Sequence, residues 1–189
     1  MFYATTFSAT SGRTHIYTTK DPENEPWVGH SFEPSLHDHS LFFEDDKVYL
    51  IYNGGDVKIV ELESDLSGIK ADGLNQVIVP EAGKVASENL MLHAEGSQMY
   101  KHDGKYYLFN ICWPQGGMRT VVVHRSDNLT GPYEGRVALQ DRGIAQGCII
   151  DTPEGDWYAY LFRDYGAVGR IPYIVPMKWE NGWPVLGNN

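Results

Sequence analysis

Two carboxylic acids and an amide, Asp38, Glu95 and Gln146, stand at matching places in a repeating pattern, 11, 12 and 12 residues ahead of Tyr49, Tyr107 and Tyr158. Small residues follow each of them closely (Ser40; Gly96 and Ser97; Gly147), which leaves room for a ligand. Carboxyl groups converging on a polar, aromatic-lined pocket suit acid and base work on a glycosidic bond. One group protonates the leaving oxygen while another acts on water or on the sugar. The plain alternative is that Asp38 and Glu95 are turn or solvated residues, as most acids are.

The elements that must position these residues are strands. FEDDKVYLIY, KHDGKYYLFN and DTPEGDWYAYLF share one grammar, a turn followed by an aromatic-rich strand, and the opening FYATTF copies that strand. The aligned Tyr3, Tyr49, Tyr107 and Tyr158 are separated by 46, 58 and 51 residues, the period of propeller blades. Before each turn lies another apolar strand, SLFFE, GSQMYK or GCIID, so each pair reads as a hairpin turning at Asp45 and Asp46, Asp103 and Gly104, or Glu154 and Gly155. A third strand follows (HIYTTK, VKIVELE, RTVVVHRS, RIPYIVPMKW), then an outer fourth such as QVIVP. The pattern predicts an all-β fold, a partial β-propeller of about three and a half blades, as a single domain over residues 1–189. The blades fall at about 1–35, 36–80, 94–140 and 145–189, the first lacking its first strand. Residues 81–94 are the only stretch expected to hold a helical turn, within a long connection between blades. Met1 directly precedes a strand with no hairpin partner, so the sequence is expected to begin inside a larger protein. Open strand edges at residues 1–7 and in the last blade are expected to invite association.

Composition narrows the function classes. Aromatics make up 13% of the 189 residues, with 20 Gly and 10 Pro, which favours strands and turns over helical bundles. The formal charge of −10 removes the basic excess used for duplex or anionic-membrane binding, so neither nucleic acid nor membrane is an expected partner. No apolar run is long enough for a helical membrane span, and the first residues show neither a basic n-region nor an apolar h-region. Cys112 and Cys148 lack metal-site spacing and read as buried free thiols.

Three segments in order, HDHSLFFEDDKVYLIYNGG, HAEGSQMYKHDGKYYLFN and AQGCIIDTPEGDWYAYLFRDYGAVGRIPYIVPMKWENGWPVLG, resemble successive blades of glycoside hydrolase family 43. That resemblance covers nearly the whole chain. It implies a five-bladed propeller and an inverting glycosidase of β-xylosidase or α-L-arabinofuranosidase type acting on xylo- or arabino-oligosaccharides. By motif, Glu95 in AEGSQMYK matches the general acid and Asp38 in LHDHSLFF the residue that orients it and raises its pKa. The general base is expected in a segment preceding FYATTF. Arg170 matches an arginine that reaches the substrate in related enzymes, with a structural salt bridge between blades as the alternative. In many relatives a histidine near the Gln146 position helps hold a central metal ion or water. Ala145 and Gln146 occupy that place here, so no metal and no cofactor are expected, and Gln146 is left as a candidate substrate contact.

Other residues carry weaker signals. Trp113 could wall a pentose ring or simply pack, and Arg119 could line the same mouth or lie solvated. His37, His39 and His93 flank the two acids, as sugar ligands or bystanders. The reading of another class is a noncatalytic propeller fragment that binds carbohydrate through the same pocket.

Overall fold

The computed structural model describes residues 1–187, which form fifteen strands and two short 3₁₀ turns. The first sheet holds β1 (Phe2–Ser8), β2 (Arg13–Thr19) and β3 (Val28–Phe32). The second holds β4 (Ser40–Glu44), β5 (Lys47–Tyr52), β6 (Val57–Leu62) and β7 (Asn75–Val79). In the third are β8 (Leu90–His102), β9 (Lys105–Pro114), β10 (Arg119–Ser126) and β11 (Glu134–Asp141). The fourth consists of β12 (Ile144–Asp151), β13 (Trp157–Asp164), β14 (Arg170–Glu180) and β15 (Trp183–Leu186). Each sheet runs in chain order with antiparallel neighbours, the arrangement of propeller blades. The three-stranded first sheet begins at the strand that copies β5, β9 and β13.

Blade-on-blade packing explains the apolar runs. Ile16 and Phe32 of the first sheet meet Val48, Leu50 and Val60 of the second. Tyr49, Ile51 and Ile59, on the other face of the second sheet, meet Leu108 and Val122 of the third. Phe109, Ile111 and Val123 of the third in turn meet Ala159, Leu161 and Met177 of the fourth. A middle blade is therefore buried on both faces, and β5 and β9 read as nearly unbroken apolar segments instead of alternating ones. The end sheets each leave apolar side chains exposed, Phe2 and Val28 on the first and Ile150 and Ile174 on the last.

Two of the three expected hairpin turns follow the sequence; the third, at Glu154 and Gly155, lies in a longer connection between Asp151 and Trp157. Asp45 and Asp46 both take left-handed φ, as do Asp103 and Gly104, which is what two-residue turns between twisted strands require. Both cysteines are buried and free. Two further expectations need correction. Only part of 81–94 is a connection: a 3₁₀ turn spans Ala82–Val85, but β8 already begins at Leu90. Three register shifts along β8 let the strand continue through a stretch whose side chains do not alternate, which hides it from pattern reading. A second 3₁₀ turn, Gly166–Val168, lies outside 81–94, the only stretch expected to hold a helical turn. Among the described residues no helix is long and apolar enough to cross a membrane.

Candidate active site

The inner strand β8 contacts both β4 and β12, and this brings the repeated positions of three blades together. Asp38 sits in the turn before β4 with a left-handed φ of 47°. Glu95 lies within β8, where the register shifts on both sides of it. The loop between β5 and β6 holds the two segments in place. Asn53 donates its backbone N–H to the carbonyl of His37 at 2.9 Å, and Gly55 donates to the carbonyl of Ala94 at 2.8 Å. One turn of chain thus fixes the backbone beside each acid. The result is a cluster in which a ring nitrogen of His37 and carboxylate oxygens of Asp38 and Glu95 lie within 4.8 Å of one another.

Gln146 enters from the third blade of the cluster. Its side-chain amide donates to Oε1 of Glu95 at 3.0 Å. Gly96 makes this approach possible, because a Cβ there would stand 2.0 Å from Cγ of Gln146 and its φ of 64° disfavours any side chain. Behind Glu95, the Asn110 amide donates to Ser97 Oγ at 2.8 Å and to the Glu95 carbonyl at 3.4 Å, fixing the backbone that carries the acid.

Burial raises the pKa of Glu95, the charge of Asp38 raises it further, and His37, Arg119 and Arg170 oppose that rise. A half-buried acid beside a second carboxylate keeps its proton to higher pH than an isolated glutamate. Among the described residues His37, Asp38 and Glu95 are the only group close enough to share a cation. A cation ligand must be ionised, whereas Glu95 sits where its proton is favoured, so the chemistry of the set fits an acid better than a metal ligand.

The remaining predicted residues gather in a second group. Trp113 lies under the guanidinium of Arg119, 5.1 Å from its ring centre, and donates its indole N–H to the carbonyl of Gly117 at 3.0 Å. Arg119 pairs with Asp164 at 2.6 Å across two blades. Arg170 reaches the other oxygen of Asp164 at 3.5 Å and lies over the Phe162 ring. The salt-bridge alternative therefore describes Arg170 in part, although its bridge runs within one blade; Arg119 makes the one between blades. Two thirds of the Arg170 side chain is still exposed (66%).

Sequence reading missed Asp164, the carboxylate that gathers both arginines. Its signal was the cross-strand pairing of Asp164 with Arg170 on β13 and β14, visible once the hairpin register is counted. The histidines separate. His37 contacts Asp38 at 3.2 Å and packs on Phe7. His39 is turned inward, its Nδ1 2.7 Å from the Leu36 carbonyl and its Nε2 against Thr5 Oγ1, so it ties the first two sheets together. His93 is exposed beside Gly55.

Comparison with known proteins gives this geometry a context. The family described as Glycosyl hydrolases family 43 matches residues 1–184. A xylosidase/arabinosidase of Butyrivibrio fibrisolvens is 30% identical over 98% of the chain, which spans 41% of that relative. A β-xylosidase of Formosa agariphila is 26% identical over 91% of the chain and 34% of the relative. The chain thus spans well under half the length of these curated relatives. Among solved structures, a bifunctional GH43-CE protein of Bacteroides eggerthii is 57% identical and superposes with a TM-score of 0.94 over 99% of this chain and 24% of that one.

Proposed function

The chain belongs to glycosyl hydrolases family 43, and from that premise we propose that it is the larger part of a catalytic propeller, one partial domain over residues 1–189, that hydrolyses pentose-containing oligosaccharides of xylo- or arabino-type with inversion. Glu95 is the general acid and Asp38 the group that holds the acid's proton and orientation. The observation that carries this reading is the Asp38–Glu95 pair itself: two carboxyls within 4.8 Å, one of them half-buried with a raised pKa. Burial and the neighbouring Asp38 charge both favour the protonated form of Glu95, the form a general acid needs.

The charges of Arg119 and Arg170 are felt at Glu95, and Trp113 packs against Arg119. The guanidinium forks suit sugar hydroxyls and the indole suits a ring face. Gln146, expected as a substrate contact, also partners the acid: it gives one amide N–H to Glu95 and keeps its other N–H and its carbonyl for a sugar hydroxyl. Inversion also needs a base across the sugar, roughly 6.5 to 9.5 Å from the acid, to admit a water. Asp38 stands beside Glu95, too close for that task. We assign the base to a segment outside the described residues.

The test is turnover of aryl β-xylosides and α-arabinofuranosides, with the product anomer followed by NMR. Hydrolysis with inversion, abolished by Glu95→Gln in a polypeptide that supplies the base, is the expected result, and the 189-residue chain alone should show no turnover above its Glu95→Gln control. Binding of oligosaccharide without turnover in either polypeptide would favour the noncatalytic reading.

A further inference from the structure

The two arginines that share Asp164 adjoin a basic corner. The turn from β11 to β12 folds back on the end of β13: Asp164 donates its backbone N–H to the Gly143 carbonyl at 2.8 Å, and a Cβ on Gly143 would stand 3.0 Å from the Asp164 carbonyl. A shallow cavity of about 300 Å³ opens there, lined by Arg142, Gly143, Arg163, Asp164 and Tyr165. Arg163 is braced, its Nε donating to the Arg142 carbonyl at 2.9 Å and its fork 3.6 Å from Asp141. Its guanidinium stands 5.9 Å from the centre of the Tyr165 ring, and that tyrosine is 53% exposed. Arg142 is exposed and pairs with no carboxylate among the described residues.

Charge makes this corner unusual. Arg119, Arg142, Arg163 and Arg170 meet only Asp141 and Asp164, so the corner is positive in a chain whose net charge is −10. Asp164 belongs both to this cavity and to the arginine pair whose charge is felt at Glu95. Asp164 therefore links the cavity to the two arginines whose charge reaches Glu95. An exposed tyrosine ring offers a face to a sugar, and an unpaired guanidinium offers a planar fork to a carboxylate.

The geometry points to a subsite for an anionic sugar: a uronic acid unit of the oligosaccharide packs on Tyr165 and sets its carboxylate against Arg142 and Arg163. The inference rests on the glycosidase reading above and names its substrate as an acidic, uronate-substituted oligosaccharide.

Calorimetric titration of the Glu95→Gln protein tests it with three probes: xylotetraose, xylotetraose bearing one glucuronic acid, and the methyl ester of the latter. The acidic probe should bind roughly five- to tenfold more tightly than the other two, the worth of one partly exposed ion pair. That advantage should shrink as salt rises from roughly 0.05 to 0.5 M. Arg142→Gln and Arg163→Gln should each lower the ratio of acidic to ester affinity. Equal binding of acid and ester overturns the anionic subsite while leaving the glycosidase reading in place. Failure of all three probes to bind overturns both.

Discussion

Gln146 donates its side-chain amide to Oε1 of Glu95, linking β12 of the fourth blade to β8 of the third. With Oε1 occupied by a donor, the proton of the neutral acid belongs on Oε2. The amide thus decides which oxygen of Glu95 can give its proton away. Geometry of this kind matters because a general acid works only within hydrogen-bond reach of the atom it protonates.

Replacing Gln146 by Leu in a base-containing polypeptide should therefore lower kcat by roughly ten- to a hundredfold on substrates with poor leaving groups, a part of the 10²–10⁴ that a general acid contributes. Substrates whose leaving group departs without a proton should lose much less. A uniform loss across leaving groups would show that Gln146 only supports the fold. Gly96→Ala should mimic the first pattern, because the new Cβ displaces the same amide.

Asp38→Asn removes the charge that helps to keep Glu95 protonated. Ionisation of Glu95 becomes easier, so its pKa falls and the alkaline limb of the pH profile moves to lower pH. Titration of the Glu95 carboxyl by carbon NMR reads the same shift without turnover. An unmoved titration would remove Asp38 from its assigned role.

Much of this arrangement could be read from sequence because a propeller repeats it. The aligned tyrosines fixed the strand grammar, and counting back from them reached Asp38, Glu95 and Gln146, which the inner strands do bring together. What stayed hidden depends on contacts between blades. The link from Gln146 to Glu95 is one such contact, because nothing in IAQGC shows that Gly96, some fifty residues earlier, leaves a hole for its side chain. The link from Asp164 to Arg119 is another, since the two residues come from different blades. The early start of β8 escaped notice because its bulges break the alternation on which strand reading relies.

The salt link at Asp164 leads to a third prediction. Asp164→Ala frees Arg119 and Arg170 from a shared anchor and leaves each guanidinium only its ring contact, with Trp113 and Phe162 respectively. Their charge reaches Glu95 without a contact to it, so substrate binding should weaken more than the chemical step. KM should rise severalfold, by roughly the worth of one or two partly exposed charged hydrogen bonds, with kcat changed less. A fall in kcat at constant KM would place Asp164 in the chemistry instead.

Acid stability should be lost in two stages with different owners. His124 is 5% exposed, its Nδ1 has no partner, and burial pushes its pKa down from 6.5 to about 4. The unfolded chain takes up a proton in that window while the folded one does not, so stability falls as pH drops from 6.5 towards 4 and is fully present above 6.5. The shift corresponds to about 3 kcal/mol in all. Glu61 acts lower down. It is 4% exposed, bonded to Lys70 at 2.7 Å and near Lys47 at 3.5 Å, and the Lys70 bond holds its pKa below the ordinary 4.5. Its contribution is therefore present above 4.5 and lost only as pH falls below that value. Urea unfolding measured from about pH 7 to about pH 4.5 should show a declining midpoint in the wild type and a shallower decline in His124→Leu, the remainder belonging to His39, whose pKa burial also lowers. Glu61→Gln should leave that slope intact and lower the midpoint throughout the range. A His124→Leu protein with the wild-type slope would mean that another group takes up the proton and that His124 is not the first to yield.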